Sequence, residues 1–441
     1  MAFEILRRVE HAGAFASILL EKKESQLADP RDAALTHELV LGVLRRQSAL
    51  DHVLGHAASR SPERMDPEVR IALRLGAYGL LFLQRVPNFA AVDTAVELVK
   101  NSCSAAAAGF ANGVLRRISR EGASLLPSEP RAGDCAALAL YHSHPQWWVE
   151  KLVDGQGWET ATRVLERNNE PATPVLRPNL RRIQPAELGE RLAREGLVTE
   201  PCEFLQQALR VRSGNPTRCS ALDEGLAWIQ DEAAQLVPLL FGPEAADCVA
   251  DLCAAPGGKT MQLAERVSPG GTLLAADRHF GRLDRLRQLA RRVRPPGLLV
   301  VQADLAGPAP LKAEFDRILV DAPCSGTGTL RRHPEIRWRL RENDLKLLAG
   351  RQRRLLETAA KLLAPGGDLV YSVCSVEAEE GEAVVRGLLA SQPDLTVEDP
   401  RPGMPETCRE LFGGDRFLRT SPATGDHDGF FAALLRRHSG R

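Results

Sequence analysis

From about residue 236 to the C-terminus the chain repeats one phrase: a short apolar run, a turn and a helical stretch. The runs fall at 247–252, 271–276, 297–303, 316–320 and 367–373. Each is short for a buried helix but long enough for a strand covered on both faces. The alternation therefore predicts an α/β domain built on a doubly wound, mainly parallel sheet. The ends of the runs are more informative than their middles, for they finish at Asp251, Asp277, Asp304, Asp321 and Cys374. Ligands of open α/β sheets bind beyond the carboxyl ends of the strands, so four carboxylates and a thiol converge on one crevice.

The repeat fills less than half of the 441 residues, and two further regions precede it. Residues 1–125 read as helix after helix. Asp32 to Leu44 places apolar residues at three- and four-residue spacing, the stripe of a helix packed on others. Asp66-Pro67 supplies an N-cap followed by proline at the first helical position, opening a helix over 68–83 that Val86-Pro87 ends. Residues 126–235 are punctuated by prolines, with candidate strands at 174–177 and 197–199 around a helix over 185–195. The predicted organisation is an all-α domain (1–125), a small α+β segment (126–235) and the α/β domain (236–441).

Composition enters as a set of exclusions. Fifty-seven basic residues balance fifty-seven acidic ones, so there is no uniformly basic coat and any nucleic-acid surface must be local. No apolar run approaches the roughly 18–20 residues that cross a bilayer, and the N-terminus lacks a signal-peptide pattern. A cytosolic protein with no membrane partner is expected; a monomer is the simpler expectation for its oligomeric state. Nine cysteines, with no Cys-x-x-Cys pair and no histidine at zinc-ligand spacing, predict neither disulfides nor a metal site. Cys103, Cys135, Cys202, Cys219, Cys248 and Cys408 read as small packed hydrophobes.

The loop Asp251-Leu-Cys-Ala-Ala-Pro-Gly-Gly-Lys-Thr260 follows the first strand. Gly257 and Gly258 permit positive φ and a close approach of backbone to ligand. Gly258-Lys259-Thr260 matches the end of a P-loop, and a nucleotide-hydrolysing enzyme is the alternative reading. The first glycine of that motif is replaced by Cys253, however, and Pro256 removes an N–H that would face phosphates. Asp277 decides between the two, since a carboxylate there suits the two hydroxyls of a ribose and repels a triphosphate. Asp304 suits an adenine amino group, and a small charged tail fits near Asp251. Together these describe S-adenosylmethionine. The predicted cofactor residues are Asp251, Cys253, Ala254, Ala255, Pro256, Gly257, Gly258, Lys259, Asp277, Asp304 and Asp321.

Asp321-Ala-Pro-Cys-Ser-Gly-Thr-Gly328 and Tyr371-Ser-Val-Cys-Ser375 bring Cys324 and Cys374 to the same rim. Methylation at C5 of a pyrimidine gives such thiols a task. That carbon is a poor nucleophile until a thiolate adds to C6 and creates an enamine, which then attacks a sulfonium methyl. A free thiol is only about 3% thiolate at pH 7, so the site must favour the anion, to which Lys259 can contribute. Asp321 suits N3 of the base as charge builds on the ring. Spacing alone does not choose between the two cysteines.

These loops, with Pro365-Gly-Gly-Asp-Leu-Val-Tyr371 leading into the second of them, resemble the RNA cytosine-5 methyltransferases. The resemblance implies that Cys374 is the nucleophile and that Cys324 assists product release; Asp321 and Lys259 join them as catalytic candidates on the chemistry above. Val373 stands where that family usually has threonine. Upstream, Glu38 to Arg45, Arg74 to Tyr78, Ala95 to Lys100 and Gly109 to Arg117 resemble a NusB-like domain. A NusB-like domain fused to this catalytic domain is the arrangement of the bacterial small-subunit ribosomal RNA methyltransferases of the RsmB type. It implies a Rossmann-like methyltransferase domain and ribosomal RNA as the partner; a non-catalytic RNA-binding or antitermination protein is the other alternative. The basic stretch after the Cys324 loop places Arg331, Arg332, His333 and Arg337 as RNA-binding candidates, with Trp338 beside them. Arg45, Arg46, Arg116 and Arg117 are candidates for a second grip. A further cluster, Arg278 to Arg294, follows Asp277.

Overall fold

Asp66 caps the helix Pro67–Phe82 as its sequence predicts: Oδ1 accepts from the N–H groups of Glu68 (2.9 Å) and Val69 (3.4 Å). This helix is apolar on nearly every side, with Val69, Ile71, Ala72, Leu73, Leu75 and Ala77 buried. Such a helix must be surrounded, and the helices Ala2–Ala12, Pro30–Arg45, Gln47–Ala58, Asn88–Ser102 and Ala105–Glu121 surround it. Gly42 lets the Tyr78 ring in, for a Cβ there would lie 2.1 Å from Tyr78 Cζ.

The computed structural model describes residues 1–24, 26–307, 310–311 and 314–439. The chain forms two compact units, Met1–Pro171 with Leu330–Leu340, and Ala172–Thr329 with Arg341–Arg441. The first unit thus extends beyond 125, through the helices Cys135–His142, Gln146–Gln156 and Trp158–Asn168. Ser143, which ends the first of these, accepts from the N–H of Ser48 at the start of Gln47–Ala58 (2.9 Å).

The inserted segment Leu330–Leu340 satisfies helix ends. The last carbonyls of a helix have no partner of their own and carry its partial negative charge. Arg337, 2% exposed, donates from Nη1 to Arg45 O (3.3 Å), Ser143 O (3.0 Å) and Asn169 Oδ1 (2.9 Å), and from Nη2 to Asn168 O (3.0 Å). Those acceptors lie at the carboxyl ends of three helices. Arg339 does the same for the first helix, donating to Val9 O (2.8 Å), Gly13 O (2.9 Å) and Ala14 O (2.6 Å). Trp338 Nε1 donates to Leu44 O (2.7 Å), and Glu335 Oε1 accepts from Ala16 N (2.9 Å).

This runs against the expectation that Arg331 and Arg337 bind RNA. Both are buried, and Arg331 donates to Pro171 O (2.9 Å) while its own carbonyl accepts from the equally buried Arg45 (3.0 Å). A guanidinium offers five donors in a rigid fork, and here the fork faces helix carbonyls instead of phosphates. Arg332 and His333 are half-buried in the same segment, and burial, with Arg332 adding, pushes the His333 ring down to about 4. Arg117 pairs with Glu121 (2.8 Å), while Arg116 is exposed.

The second unit holds two sheets. The smaller has strands β1 (Val175–Pro178), β2 (Val198–Pro201), β3 (Leu209–Ser213) and β4 (Ala227–Ile229) in the order β2-β3-β1-β4, all antiparallel, with the helix Pro185–Arg194 between β1 and β2 in the chain. Its buried Arg177 forms an ion pair with Glu265 of the larger domain.

In the larger sheet, β5 (Ala246–Asp251), β6 (Val267–Asp277), β7 (Leu298–Gln302), β8 (Phe315–Asp321) and β9 (Leu363–Val373) are parallel. An antiparallel edge is added by β10 (Leu395–Val397), β11 (Leu418–Thr420) and β12 (Phe430–Arg437). The order β10-β12-β9-β8-β5-β6-β7 runs outward in both directions from β5. That reversal is the topological switch point where such sheets bind ligands. Ile318, Leu319 and Val320 are fully buried, as a strand covered on both faces requires.

Candidate active site

Strand register brings the predicted residues to one rim. Asp251 ends β5, Asp277 ends β6, Asp321 ends β8 opposite Ser372, and Cys374 follows β9. Asp304 lies two residues beyond β7, which stops at Gln302, and is exposed, with Oδ1 accepting from Ala306 N (3.0 Å).

The glycine loop turns sharply into the short helix Gly258–Leu263, after which Ala264–Arg266 tightens into a 3-10 turn before β6. Gly257 has φ +114°, and a Cβ there would lie 3.0 Å from Leu286 Cγ, so only glycine fits. Asp251 is buried, and burial pushes its carboxyl up to about 7 against the pull of Thr260, whose hydroxyl donates to Oδ2 (2.7 Å). Asp251 Oδ1 is buried without a partner. Asp277 is 5% exposed and accepts from His279 N (2.8 Å) and Ala255 N (3.3 Å), which fixes the carboxylate beside the loop. Burial also raises the Cys253 thiol, leaving it a structural member of the loop.

Lys259 answers the P-loop alternative. Its ammonium lies 2.7 Å from Asp321 Oδ2 and 4.9 Å from the centre of the Phe430 ring, so it is held by a carboxylate. Burial works to lower its pKa, but Asp321, with lesser contributions from Cys374 and Asp251, outweighs burial and holds it above the ordinary lysine range. Ser372 Oγ donates to Asp321 Oδ1 (2.7 Å), so both carboxylate oxygens are engaged. A loop flanked by Asp251, Asp277 and Asp321 repels a triphosphate. It fits S-adenosylmethionine: Asp277 for the ribose hydroxyls, and the unpartnered Asp251 oxygen for the α-ammonium of the methionyl end.

Cys324 Sγ and Cys374 Sγ are 3.3 Å apart. The hydrogen bond to Cys374 is the largest reason why the Cys324 thiol sits well above its ordinary range; burial and then the charges of Cys374 and Glu380 add to it. Of the cysteines read as packing groups, Cys202, Cys219 and Cys408 are buried, whereas Cys103 is exposed at a helix end against Asp66 (3.7 Å).

Two supports of the site went unread in the sequence. Gln230 braces the glycine loop, its Oε1 accepting from Trp228 Nε1 (2.6 Å) and lying 3.2 Å from where a Gly258 Cβ would be. Glu380, fully buried, joins the two cysteine loops through Ser325 and Ser375. A serine directly after each rim cysteine was the available signal.

The switch-point crevice, the glycine loop and the buried acid at the end of β6 fit an S-adenosylmethionine-dependent methyltransferase. Comparison with known proteins makes the class specific. Residues 238–436 match the family model described as 16S rRNA methyltransferase RsmB/F, residues 1–120 match the NusB family, and residues 144–218 match the RsmF/B-like ferredoxin-like domain. A Bacillus subtilis protein named "Probable ribosomal RNA small subunit methyltransferase B" is 34% identical over 99% of this chain and 98% of its own length. Ribosomal RNA small subunit methyltransferase B of Salmonella paratyphi A is 34% identical over 99% and 97%. The crystal structure of PH0851 is 26% identical with a TM-score of 0.80, covering 94% of this chain and 92% of that one. The chain belongs to the 16S rRNA methyltransferase RsmB/F family, and it is an S-adenosylmethionine-dependent rRNA methyltransferase.

Among the described residues no helix is long and apolar enough to cross a membrane.

Proposed function

We propose that the chain transfers the methyl group of S-adenosylmethionine to C5 of a cytosine in small-subunit ribosomal RNA, through a covalent bond between Cys374 Sγ and C6. The observation that carries the reading is the pair of thiols 3.3 Å apart, one strand over from a Lys259–Asp321 ion pair.

The cytosine must leave any helix it occupies, because the thiolate needs one face of the ring and the methyl donor its edge. The Cys374 thiolate adds to C6, and the C5–C6 π electrons move toward N3, where a proton shared by the Lys259 ammonium and Asp321 offsets the growing charge. S-adenosylmethionine supplies an electrophilic methyl, which C5 takes. Loss of the C5 proton to a base restores the double bond and expels Cys374. Cys324, its thiol held protonated beside Cys374, serves the release step. The Lys259 ammonium, which Cys374 attracts, is the resident cation of the site.

With Arg331 and Arg337 buried, phosphate contact falls to the exposed arginines of the helix Phe280–Val293 and its flanks, including Arg291, Arg292 and Arg294. Phe280, 58% exposed with Arg287 over its ring (5.4 Å), adds a face on which an unpaired base can stack.

The test is a pair of variants assayed with tritiated S-adenosylmethionine on small-subunit RNA. Cys374→Ala should abolish methyl transfer, and Cys324→Ala should accumulate a protein–RNA adduct that survives denaturing gels. Near-parental transfer by Cys374→Ala would remove the nucleophile; turnover by Cys324→Ala without a trapped adduct would remove the release role.

A further inference from the structure

One buried carboxylate beside the thiols belongs neither to the cofactor loop nor to the reacting groups. Glu380 lies in the turn after β9 and is fully buried. Its Oε1 accepts from Ser325 N (2.9 Å) and Gln352 Nε2 (2.9 Å). Its Oε2 accepts from Ser375 Oγ (2.6 Å) and from Ser325 Oγ. Ser325 follows Cys324 and Ser375 follows Cys374, and their hydroxyls are 3.1 Å apart. The residues next to both thiols therefore hang from one carboxylate.

The anchor is itself tied down. Gln352 also donates to Pro323 O (3.1 Å), immediately before Cys324, and Tyr371 OH donates to Glu380 O (2.5 Å). Four donors match the capacity of an ionised carboxylate, and a backbone N–H and an amide NH2 can only donate. The shell is built for an anion.

We propose that Glu380 is a positioning residue for methyl transfer: it clamps the Cys324 and Cys374 loops to one anchor and, as a fixed anion beside Cys324, leaves Cys374 as the thiol that reacts. This rests on the covalent reading above. The groups facing Cys324 are Cys374, Glu380 and Tyr371; the hydrogen bond to Cys374 and burial do most to keep its thiol protonated, and the Glu380 charge acts in the same direction. Lys259 lies on the Cys374 side, where the two attract. The ammonium thus attracts Cys374 while the carboxylate acts on Cys324, its neighbour at 3.3 Å.

Glu380→Gln keeps the shape and removes the charge, since Gln Oε1 can take the two fixed donors while the serine hydroxyls turn to accept from Nε2. Alkylation of the full-length protein by iodoacetamide, resolved by peptide mass, reads each cysteine without RNA or methyl donor. Cys324 should react about tenfold faster at fixed mildly alkaline pH, equivalent to about one pH unit, and the methyl-transfer pH profile should shift with it. Glu380→Ala should cut adduct formation about 100-fold, as displacement of reacting groups by about 1 Å does, with S-adenosylmethionine affinity retained. An unchanged Cys324 rate in Glu380→Gln overturns the charge role, and parental adduct yield in Glu380→Ala overturns the clamp. Should Glu380→Ala not fold, Ser375→Ala, which removes one strap of the clamp, takes its place in the adduct assay, and parental yield there overturns the clamp. Transfer that survives in Cys374→Ala would defeat the covalent reading instead, a result separate from the alkylation rates.

Discussion

Arg337→Ala distinguishes a structural arginine from an RNA ligand. The substitution strips donors from Arg45 O, Ser143 O, Asn168 O and Asn169 Oδ1 at once. Each buried acceptor left without a donor costs about 1–3 kcal/mol. Water and relaxation recover part of that, so the expected total is about 3–5 kcal/mol, the range for breaking a buried polar network. No carboxylate is left behind, because the partners are helix ends. Burial, reinforced by Arg45 and Arg46, already holds the guanidinium well below the usual arginine range, so the charge is kept at a cost that those acceptors, with Glu335, offset. Four of the five tryptophans, Trp147, Trp148, Trp158 and Trp338, lie in the first unit, so urea unfolding followed by fluorescence reports that unit mainly. With a slope of about 2–3 kcal/mol per molar urea, the midpoint should fall by more than about 1 M. Arg337→Lys, which keeps the charge and loses the fork, should fall between. A midpoint unmoved by more than about 0.2 M, together with RNA binding whose salt slope drops by about 0.9, would refute the reasoning and return Arg337 to the phosphates.

Acid should loosen the same unit. Burial pushes His142 down to about 4 and His144 well below its ordinary value, so both rings are neutral when folded. The unfolded chain takes up their protons as pH falls through about 6.5. Their contribution is therefore complete above that pH and is lost on the way down toward about 4, by up to about 1.4 kcal/mol per pH unit for each ring. Urea midpoints at about pH 7.5 and about pH 5 should differ less in His144→Gln than in the parent, and equal differences would sink the argument. Arg291→Glu with Arg292→Glu should raise the KM for RNA and lower the salt slope of RNA binding by about one to two, with S-adenosylmethionine binding unchanged; an unaltered slope would remove that helix from the RNA surface.

The sheet and its rim were legible because two strong local signals coincide there, doubly buried strands and charged residues at their ends. Asp66-Pro67 likewise announced a helix start through chemistry confined to four residues. Arg331 and Arg337 were read as RNA ligands for a physical reason. A guanidinium that caps helix carboxyl ends and one that grips phosphate have the same sequence appearance, and which it does depends on where Leu330–Leu340 docks, a long-range fact. Asp304 falls two residues beyond the strand because the last paired residue is Gln302. Glu380 was hidden within a run of exposed-looking glutamates, its burial decided by loops that join 55 residues apart.

The insertion of Leu330–Leu340 into the first unit also governs the order in which the chain can mature during synthesis. The helix carboxyl ends that Arg337 and Arg339 satisfy are all made by residue 169, yet their donors come after the whole stretch Ala172–Thr329. At about 5–20 residues per second, that interval is on the order of ten to thirty seconds. Through it the N-terminal helices stand as an unfinished body with buried carbonyls still open. The N-terminal half is therefore not a bead that folds and waits; it is completed by the half that follows it, and a gene cut at residue 171 would yield a unit lacking its own last piece.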